Sequence, residues 1–286
     1  MISEVKAWVG RVAERHSVPA AAGLARAGDV VRLFREPRAW SELVTRLSFP
    51  SRMHQDNSLT FPERYPTLFS AAQKLLGYRA PLRILSFGCS SGEEVQSLRR
   101  YFPDAVIVGA EINASLLRAC RELGMEGETF FIPSKDEVVE AHGPFDAIFC
   151  MAVFTRRPHE VEGRHMLDIS RFYPFERFAA SVRFLASQLT PGGLLVVEHA
   201  LYRVEDALEG LPLTAVVTHG FAPAKGPRFD PTGVRLASPQ LIARIFSRTR
   251  DPSASEHAAP TQTPTPAPDE RQLALFDTED PILQQL

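Results

Sequence analysis

A short loop with two glycines is the part of the chain whose residues are best suited to bind a ligand. An apolar run at residues 84–87 is typical of a buried strand, and the loop GCSSG follows at residues 88–92. An amphipathic helix pattern then begins with two acids, Glu93 and Glu94. Gly88 and Gly92 let the backbone approach a ligand closely, because neither carries a Cβ atom. A strand, a tight glycine loop and a helix are typical of the first crossover of a nucleotide-binding α/β fold.

The residues around this loop argue against a phosphate cradle. A P-loop ends in Gly-Lys-Ser/Thr, whereas Gly92 is followed by Glu93. The dinucleotide pattern G-x-G-x-x-G is also absent, and two carboxylates at the start of a helix would repel a pyrophosphate. A ligand with a nucleoside and a positive centre fits better, and S-adenosylmethionine has an adenosine, a sulfonium and an ammonium group.

A second acid stands at the spacing that a nucleoside site requires. Residues 105–110 (AVIVGA) predict another buried strand, and this strand ends at Glu111, 19 residues after Gly92. An acid at the tip of the second strand, about 20 residues beyond the glycine loop, can accept ribose hydroxyls.

Together these residues resemble the cofactor site of class I S-adenosylmethionine-dependent methyltransferases. The wording ILSFGCSSGEEVQSL followed by GAEIN is most similar to the chemotaxis-receptor methyltransferase branch, whose loop has the sequence G-C-S-T-G-E-E. The alternative is a doubly wound domain that binds another nucleotide or none. The resemblance, which covers about residues 80–240, implies these cofactor-binding residues: Gly88, Cys89, Ser90, Gly92, Glu94, Glu111, Ile112, Ser134 and Met151.

The remaining patterns predict the elements that would position this site. We expect an α/β fold with a seven-stranded, doubly wound, Rossmann-like sheet, as the family has. Further strands are predicted at residues 129–132, 145–153, 194–197, 213–217 and 233–236, with one strand antiparallel. Helices are predicted at residues 172–189, before the turn signal Pro-Gly-Gly, and at residues 238–248.

The chain divides into four predicted regions. Residues 1–47 are expected to be helical, with helices at 2–16, 20–34 and 39–47. Residues 48–80 form a connector that contains an active-site lid or, alternatively, an ordinary linker. Residues 81–248 form the methyltransferase domain, and residues 249–286 form a tail that is predicted to be disordered, because it is rich in proline, alanine, threonine and serine.

Four residues are predicted to take part in catalysis. Methyl transfer is an in-line displacement in which the enzyme places the acceptor and removes water, and a nitrogen or hydroxyl acceptor also needs a general base. His199 and Glu198, after the fifth strand, and His54, in the connector, are candidate bases, although each can instead be a structural polar residue. Arg35 lies in VRLFREPRAWSEL, which loosely resembles the receptor methyltransferases' T-x-F-F-R-E/D-P motif; alternatively it is a surface charge.

The acceptor is less well defined by the sequence. After Met151 the chain has Ala152 where receptor methyltransferases have asparagine, and MAVF where amino-methylating DNA enzymes have N/D-P-P-Y/F. Both departures weaken the case for receptor methylation, and the second argues strongly against amino methylation of a DNA base. Residues 155–170 contain a cluster of basic side chains, which predicts an anionic or carboxylate acceptor or, equally, a solvated loop: Arg156, Arg157, His159, Arg164 and His165.

Composition narrows the cellular context. The 286 residues include 32 basic and 34 acidic side chains, and this balance gives no electrostatic case for a nucleic acid or membrane partner. Three widely spaced cysteines predict reduced thiols rather than a disulfide framework or a zinc site. No apolar run approaches the ~18 residues of a membrane span, and no signal-peptide core begins the chain, so we expect a cytoplasmic protein.

The tail contains a short motif of its own. Residues 272–276 (QLALF) resemble the Q-L-x-L-F motif with which bacterial proteins bind the DNA polymerase sliding clamp, and the residues implied are Gln272, Leu273, Leu275 and Phe276. A packed amphipathic segment or a docking tail for another partner are the alternatives. Two functions therefore remain: a methyltransferase acting on a small molecule or protein, and a cofactor-binding recruitment or regulatory module without catalysis.

Overall fold

The chain folds around one seven-stranded sheet with helices on both of its faces. The computed structural model describes residues 37–55, 60–77, 81–216, 226–237 and 242–249. The strands are β1 (Arg83–Phe87), β2 (Val106–Glu111), β3 (Thr129–Pro133), β4 (Phe145–Met151), β5 (Leu189–Glu198), β6 (Leu213–Ala215) and β7 (Ile245–Arg248). The helices are α1 (Pro37–Ser48), α2 (Pro66–Leu76), α3 (Glu93–Tyr101), α4 (Ala114–Arg121), α5 (Asp136–His142), α6 (Pro158–Gly163), α7 (Phe175–Ser187) and α8 (Val204–Ala207).

The strand order places a crevice at one edge of the sheet. The order is β3-β2-β1-β4-β5-β7-β6, in which β1 to β5 are parallel and β7 runs antiparallel to both β5 and β6. The order reverses between β1 and β4, and ligands of open α/β sheets bind outside the carboxyl ends of the strands at such a point. The loop after β1 and the residues after β4 therefore face the same crevice.

The central strands are mostly apolar because both faces of the sheet are covered. Alternate residues of each strand enter different cores: Leu85 and Ile148 belong to one, and Ile84 and Phe149 belong to the other. Helices α5, α7 and α8 cover the first face, and α2, α3 and α4 cover the second. This burial on both sides explains why the strands appear as continuous apolar runs rather than as alternating patterns.

The predicted fold class is confirmed, and so are strands one to six within a few residues. The helix predicted at 172–189 is α7, which is shorter at both ends. Strand β5 is longer than predicted, because residues 190–193 form an irregularity: Phe145 pairs with Leu189, whereas Ala147 pairs with Leu194.

Two predictions near the end of the domain are wrong. Residues 233–236 do not form the seventh strand; Val234 and Arg235 make isolated bridges, to Asp168 and Phe229 respectively. The seventh strand is instead β7, within the segment predicted to be the last helix. The four residues Ile-Phe-Ser-Arg can be stabilised as a strand by pairing on both sides, which a local helix pattern does not reveal.

The helix predicted at residues 39–47 is α1, and the helices predicted at 2–16 and 20–34 lie outside the described residues. None of the helices in the part of the chain that the structure describes is both long and apolar enough to cross a membrane.

Candidate functional site

A cleft of about 1050 Å³, including its open mouth, lies at the carboxyl ends of the central strands. It is lined by eight of the nine predicted cofactor-binding residues: Gly88, Cys89, Ser90, Glu94, Glu111, Ile112, Ser134 and Met151. The structure therefore brings together, in one cavity, residues from the ends of β1, β2, β3 and β4. The ninth residue, Gly92, precedes α3 and does not line the cleft.

The two glycines of the loop serve different purposes. Gly88 has a φ of 77°, and a Cβ atom there would lie 2.7 Å from Cγ2 of Val153. Its N–H donates to the carbonyl of Ala110, at 2.8 Å, which holds the loop against the end of β2. Gly92 has a φ of 95° at the start of α3, and its missing Cβ makes room for Leu123. Gly88 thus shapes the floor of the cleft, whereas Gly92 permits the turn into the helix.

Glu111 is held by main-chain N–H groups at the tip of β2. Its Oε2 accepts from the N–H of Ser90 and its Oε1 from the N–H of Asn113, both at 2.8 Å. Burial raises the pKa of this carboxyl, and these backbone hydrogen bonds oppose the rise. A carboxylate has about four acceptor positions. Glu111 can therefore accept a further hydroxyl from a ligand in the cleft.

Glu94 is a second, partly buried acid of the cleft. It lies in the first turn of α3, and its Oε1 accepts a hydrogen bond of 2.8 Å from the hydroxyl of Ser86 on β1. Burial raises its pKa to about 8, although the Ser86 hydrogen bond and the positive charge of Arg64 act in the opposite direction. A cationic group entering the cleft would stabilise the ionised carboxylate.

The connector before β1 contributes side chains to this cleft. Residues 52–55, 60, 61, 64 and 65 line it. Arg52 donates to the carbonyl of Ser134 (2.9 Å) and forms an ion pair with Asp136 (2.8 Å), which ties one end to the β3–α5 loop. Gln55 Nε2 donates to the carbonyl of Ala152 at 2.8 Å. These contacts fix the connector to loops on either side of the crevice.

A further latch joins the end of the connector to α3. The N–H of Glu63 donates to the hydroxyl of Ser97 at 3.0 Å, and its carboxylate accepts from the hydroxyl of Tyr101 at 3.0 Å. Arg64 follows at once, with its guanidinium carbon 5.4 Å and 5.2 Å from the ring centroids of Phe61 and Tyr65. The latch thus places a cation beside the buried carboxyl of Glu94.

His54, in the connector, has a buried side chain. Its Nδ1 lies 2.8 Å from the hydroxyl of Tyr173 and its Nε2 lies 2.8 Å from the hydroxyl of Ser181. The ring packs edge-on against Phe154, and burial, with help from nearby arginines, lowers the pKa of His54 to about 3. Both ring nitrogens are engaged in hydrogen bonds within the protein, so the imidazole stays neutral and anchors the connector to α7.

A second cavity of about 760 Å³ adjoins the cleft, and we call it the side pocket. Gln55, Arg64 and Ala152 line both cavities and therefore mark the junction between them. The rest of the side pocket is lined by several small or apolar residues and by five polar ones: Thr155, His159, Glu162, His199 and Arg228. A ligand in the cleft and a second molecule in the side pocket would meet at this junction.

His199 stands at the wall of the side pocket, close to the junction. Its ring centroid is 5.8 Å from that of Tyr65, which lines the cleft. His199 has a φ of 54°, and Ala152, at the end of the neighbouring strand β4, has a φ of 60°. Left-handed backbone at non-glycine residues is uncommon and concentrates at functional sites. Both strands thus bend sharply where the two cavities join.

Glu198 is not among the described residues that line the two cavities. Its Oε2 forms an ion pair of 3.0 Å with Nε of Arg244, and its Oε1 lies 3.8 Å from Nδ1 of His199. Burial raises the pKa of Glu198, whereas Arg244 opposes the rise. The carboxylate therefore lies between Arg244 and His199.

The basic segment after β4 contributes less positive charge to the site than its sequence suggests. It contains the short helix α6, in which Glu160 pairs with both Arg157 (3.6 Å) and Arg164 (2.9 Å). Arg156 is buried and donates to the carbonyl of Met53. Among the basic residues predicted there, His159 is the one that lines the side pocket.

Other predicted residues cannot be placed. Arg35 and the tail motif at 272–276 lie outside the described residues. Conversely, sequence reasoning missed Arg228, because it stands in an irregular segment with no motif, and its position depends on tertiary packing alone. Within the described ranges, no group of three or more His, Cys, Asp and Glu side chains is arranged to hold a metal ion.

Comparisons with known proteins show distant similarity in structure. Neither a protein-family model nor a curated protein matches the chain. An amino-pentose methyltransferase from Micromonospora echinaspora, solved with S-adenosylmethionine bound, is 19% identical, with a TM-score of 0.34 over 46% of this chain and 49% of its own. A cyclopropane synthase from Mycobacterium tuberculosis is 16% identical, with a TM-score of 0.35 over 53% and 44%.

A third solved structure, DesVI from Streptomyces venezuelae, is 18% identical, with a TM-score of 0.32 over 52% of this chain and 56% of its own. The chain thus spans about half the length of these solved structures. Identities this low do not transfer an activity, a ligand or a substrate to this chain.

The buried state of Glu94 predicts an unusual effect of pH on stability. Because its folded-state pKa of about 8 lies above the ordinary value of 4.5, the native state holds a proton that the unfolded state releases between these values. Stability is therefore lost as pH rises through this window. We expect Glu94→Gln to unfold at higher urea than the wild type above about pH 8, by roughly 3 to 5 kcal/mol, and to lose that advantage near pH 4.5.

Urea unfolding followed by circular dichroism across this range measures the effect. Glu137→Gln, which removes an exposed acid of α5, controls for the general effect of losing one negative charge. Parallel pH profiles of stability for the wild type and Glu94→Gln would contradict the raised pKa of Glu94.

Proposed function

We propose that this chain is an S-adenosylmethionine-dependent methyltransferase that transfers a methyl group to a carboxylate, oxygen or nitrogen of a small-molecule or protein acceptor. The observation that supports it most is the joining of two cavities. One contains the glycine loop with two buried acids at nucleoside spacing, and the other opens beside His199. Such an arrangement suits a reaction between a bound nucleoside donor and a second substrate.

The residues of the cleft fit this cofactor at three points. Glu111 would accept a ribose hydroxyl, since its oxygens keep acceptor capacity beyond the hydrogen bonds from Ser90 and Asn113. Ile112 and Met151 would offer apolar contact to the adenine. Glu94, buried in the same cleft, would face the positively charged methionine end, where its charged form becomes favourable.

The cofactor supplies a methyl group on a positively charged sulfur when it is bound. The work of the chain is then to place an acceptor at the junction and to exclude water from it. For a hydroxyl or amine acceptor, His199 would take the proton as the new bond to the methyl carbon forms and the carbon–sulfur bond breaks, with its electron pair remaining on sulfur. A carboxylate acceptor needs no such base.

The other predicted catalytic residues receive supporting roles in this proposal. Glu198 would fix the orientation and charge of His199 from behind, because it lies 3.8 Å from the ring and lines neither cavity. His54 would hold the connector in place through Tyr173 and Ser181. Residues 48–65 would then act as the lid of the cleft, residues 81–248 as the methyltransferase domain, and Arg35 would approach the site from the preceding helical region.

Removal of Glu111 tests the cofactor site directly. Glu111→Ala should weaken binding of S-adenosylmethionine roughly 10- to 100-fold, because a ribose hydroxyl loses a charged acceptor and the loop loses its anchor. Isothermal titration calorimetry of the wild type and the variant provides the measurement. Glu137→Ala, at an exposed acid, is the matched control and should bind like the wild type.

Circular dichroism establishes that both variants are folded. A folded wild-type protein that does not bind S-adenosylmethionine would overturn the enzyme proposal. Binding without any methyl transfer to an acceptor panel would instead favour the alternative, a cofactor-binding module that works in recruitment or regulation.

We also propose that the tail binds the DNA polymerase sliding clamp of bacteria through Gln272, Leu273, Leu275 and Phe276. The support is the sequence QLALF, in which leucines and a terminal phenylalanine would enter an apolar pocket and the glutamine would bond polar groups beside it. A linear motif at the end of a polar, proline-rich segment can bind without altering the enzyme domain.

Surface plasmon resonance of the full chain over an immobilised bacterial clamp tests this proposal. The double variant Gln272→Ala, Phe276→Ala should bind at least roughly tenfold more weakly than the wild type, since motif anchors carry most of the binding energy. The control Gln284→Ala, Leu286→Ala changes the same residue classes outside the motif. Equal binding by the two double variants, or none by the wild type, would contradict clamp recognition.

A further inference from the structure

The side pocket carries positive charge that does not come from the basic segment of the sequence. Arg157 and Arg164 are paired with Glu160, and Arg156 is turned inward to the carbonyl of Met53. The cations that line the pocket are instead Arg64, at the junction, and Arg228, which lines the side pocket alone. Positive charge thus flanks the space that an acceptor would occupy.

Arg228 is built into the wall of the pocket. Its side chain is almost fully buried, and Nη1 donates to the carbonyl of Pro227 at 3.1 Å. Burial lowers the pKa of Arg228 while Glu198, behind the wall, opposes that change. A guanidinium held in a fixed position loses less conformational entropy when it binds an oxyanion, and its planar fork matches carboxylate and phosphate geometry.

The remaining titratable groups of the pocket are compatible with an anion. His159 and His199 can both donate hydrogen bonds, and Thr155 offers a hydroxyl. Glu162 is the acid among the described lining residues, and its Oε1 approaches Gly226 on the same side as Arg228. Arg64 and Arg228 against the single carboxylate of Glu162 leave the charged side chains of the described lining with a net positive charge.

We propose that the side pocket binds a small acceptor that carries an oxyanion group, a carboxylate or a phosphate, near the atom to be methylated. This inference rests on the proposed methyltransferase function. Arg228 and His159 bind the oxyanion away from the junction, and His199 faces a hydroxyl or amine at the junction. The volume of about 760 Å³, which includes the mouth, suits a small molecule.

Anion binding can be measured before the acceptor is known. Inorganic phosphate and acetate are titrated separately into the full chain, and the imidazole signals of His159 and His199 are followed by NMR in histidine-labelled protein. His159→Gln and His199→Gln assign the signals. We expect saturable shifts of both imidazoles, and the tighter of the two probes identifies the anion as phosphate or carboxylate.

Variants locate the site. Arg228→Gln should weaken the binding of the preferred probe roughly tenfold or more, as expected for loss of a charge-assisted hydrogen bond. Arg164→Gln removes an exposed arginine that follows α6 and pairs with Glu160. This variant should bind the probe like the wild type. Glu162→Gln removes the facing acid and should tighten binding severalfold, which provides a test that does not depend on the folding of Arg228→Gln.

The outcomes separate this inference from the proposed function. No saturable shift in the folded wild type, equal weakening by Arg228→Gln and Arg164→Gln, or no tightening by Glu162→Gln would overturn the oxyanion pocket. A calorimetric titration of the wild type with S-adenosylmethionine runs in parallel. Failure of that titration with normal phosphate or acetate binding would reject the methyltransferase proposal and leave the anion pocket standing.

Discussion

The burial of two carboxylates at the crevice between β1 and β4 is the constraint on which the arrangement of the site depends. An acid removed from water is stable only if it is hydrogen-bonded, paired with a cation or protonated. Glu111 receives main-chain N–H groups, which requires the loop at Ser90 and the turn at Asn113 to be held against the end of β2. Glu94 accepts a hydrogen bond from the Ser86 hydroxyl, and its raised pKa favours the protonated, uncharged carboxyl at neutral pH.

The contact between this loop and the end of β2 also explains why residue 88 is a glycine. The N–H groups of Gly88 and Cys89 both bond the carbonyl of Ala110, which brings β1's loop beside Glu111. That close approach leaves no room for a Cβ at Gly88 against Val153. Loop conformation, acid position and strand pairing therefore stabilise one another, and a cationic nucleoside ligand would satisfy the buried charges further.

The local part of the site could be predicted from the sequence, whereas the part formed by tertiary contacts could not. Gly88 and Glu111 belong to one strand–loop–helix–strand unit, so their spacing along the chain was sufficient to predict that they line the same cleft. Arg228 has no such local context, because it reaches the side pocket from an irregular segment about 30 residues after β5. The basic residues after β4 suggested more positive charge than the site receives, because Glu160 pairs with two of them.

The same distinction explains the errors in the fold. Strands β1, β2 and β4 and the second half of β5 are apolar runs buried on both faces, and such runs are visible in the sequence. Strand β7 has four residues of mixed polarity and exists through its pairing with β5 and β6. The connector lies between these cases: its residues suggested a lid, and the structure gives its polar side chains partners in the β3–α5 loop, after β4, on α3 and at α7.

A crystal structure of the protein with S-adenosylhomocysteine, the product form of the cofactor, tests the central claim most directly. The account predicts a ribose hydroxyl within hydrogen-bond distance of Glu111, the amino-acid end beside Glu94, and the sulfur directed at the junction near His199. A ligand bound elsewhere, or one whose sulfur points away from the side pocket, would contradict the assignment of the two cavities to donor and acceptor.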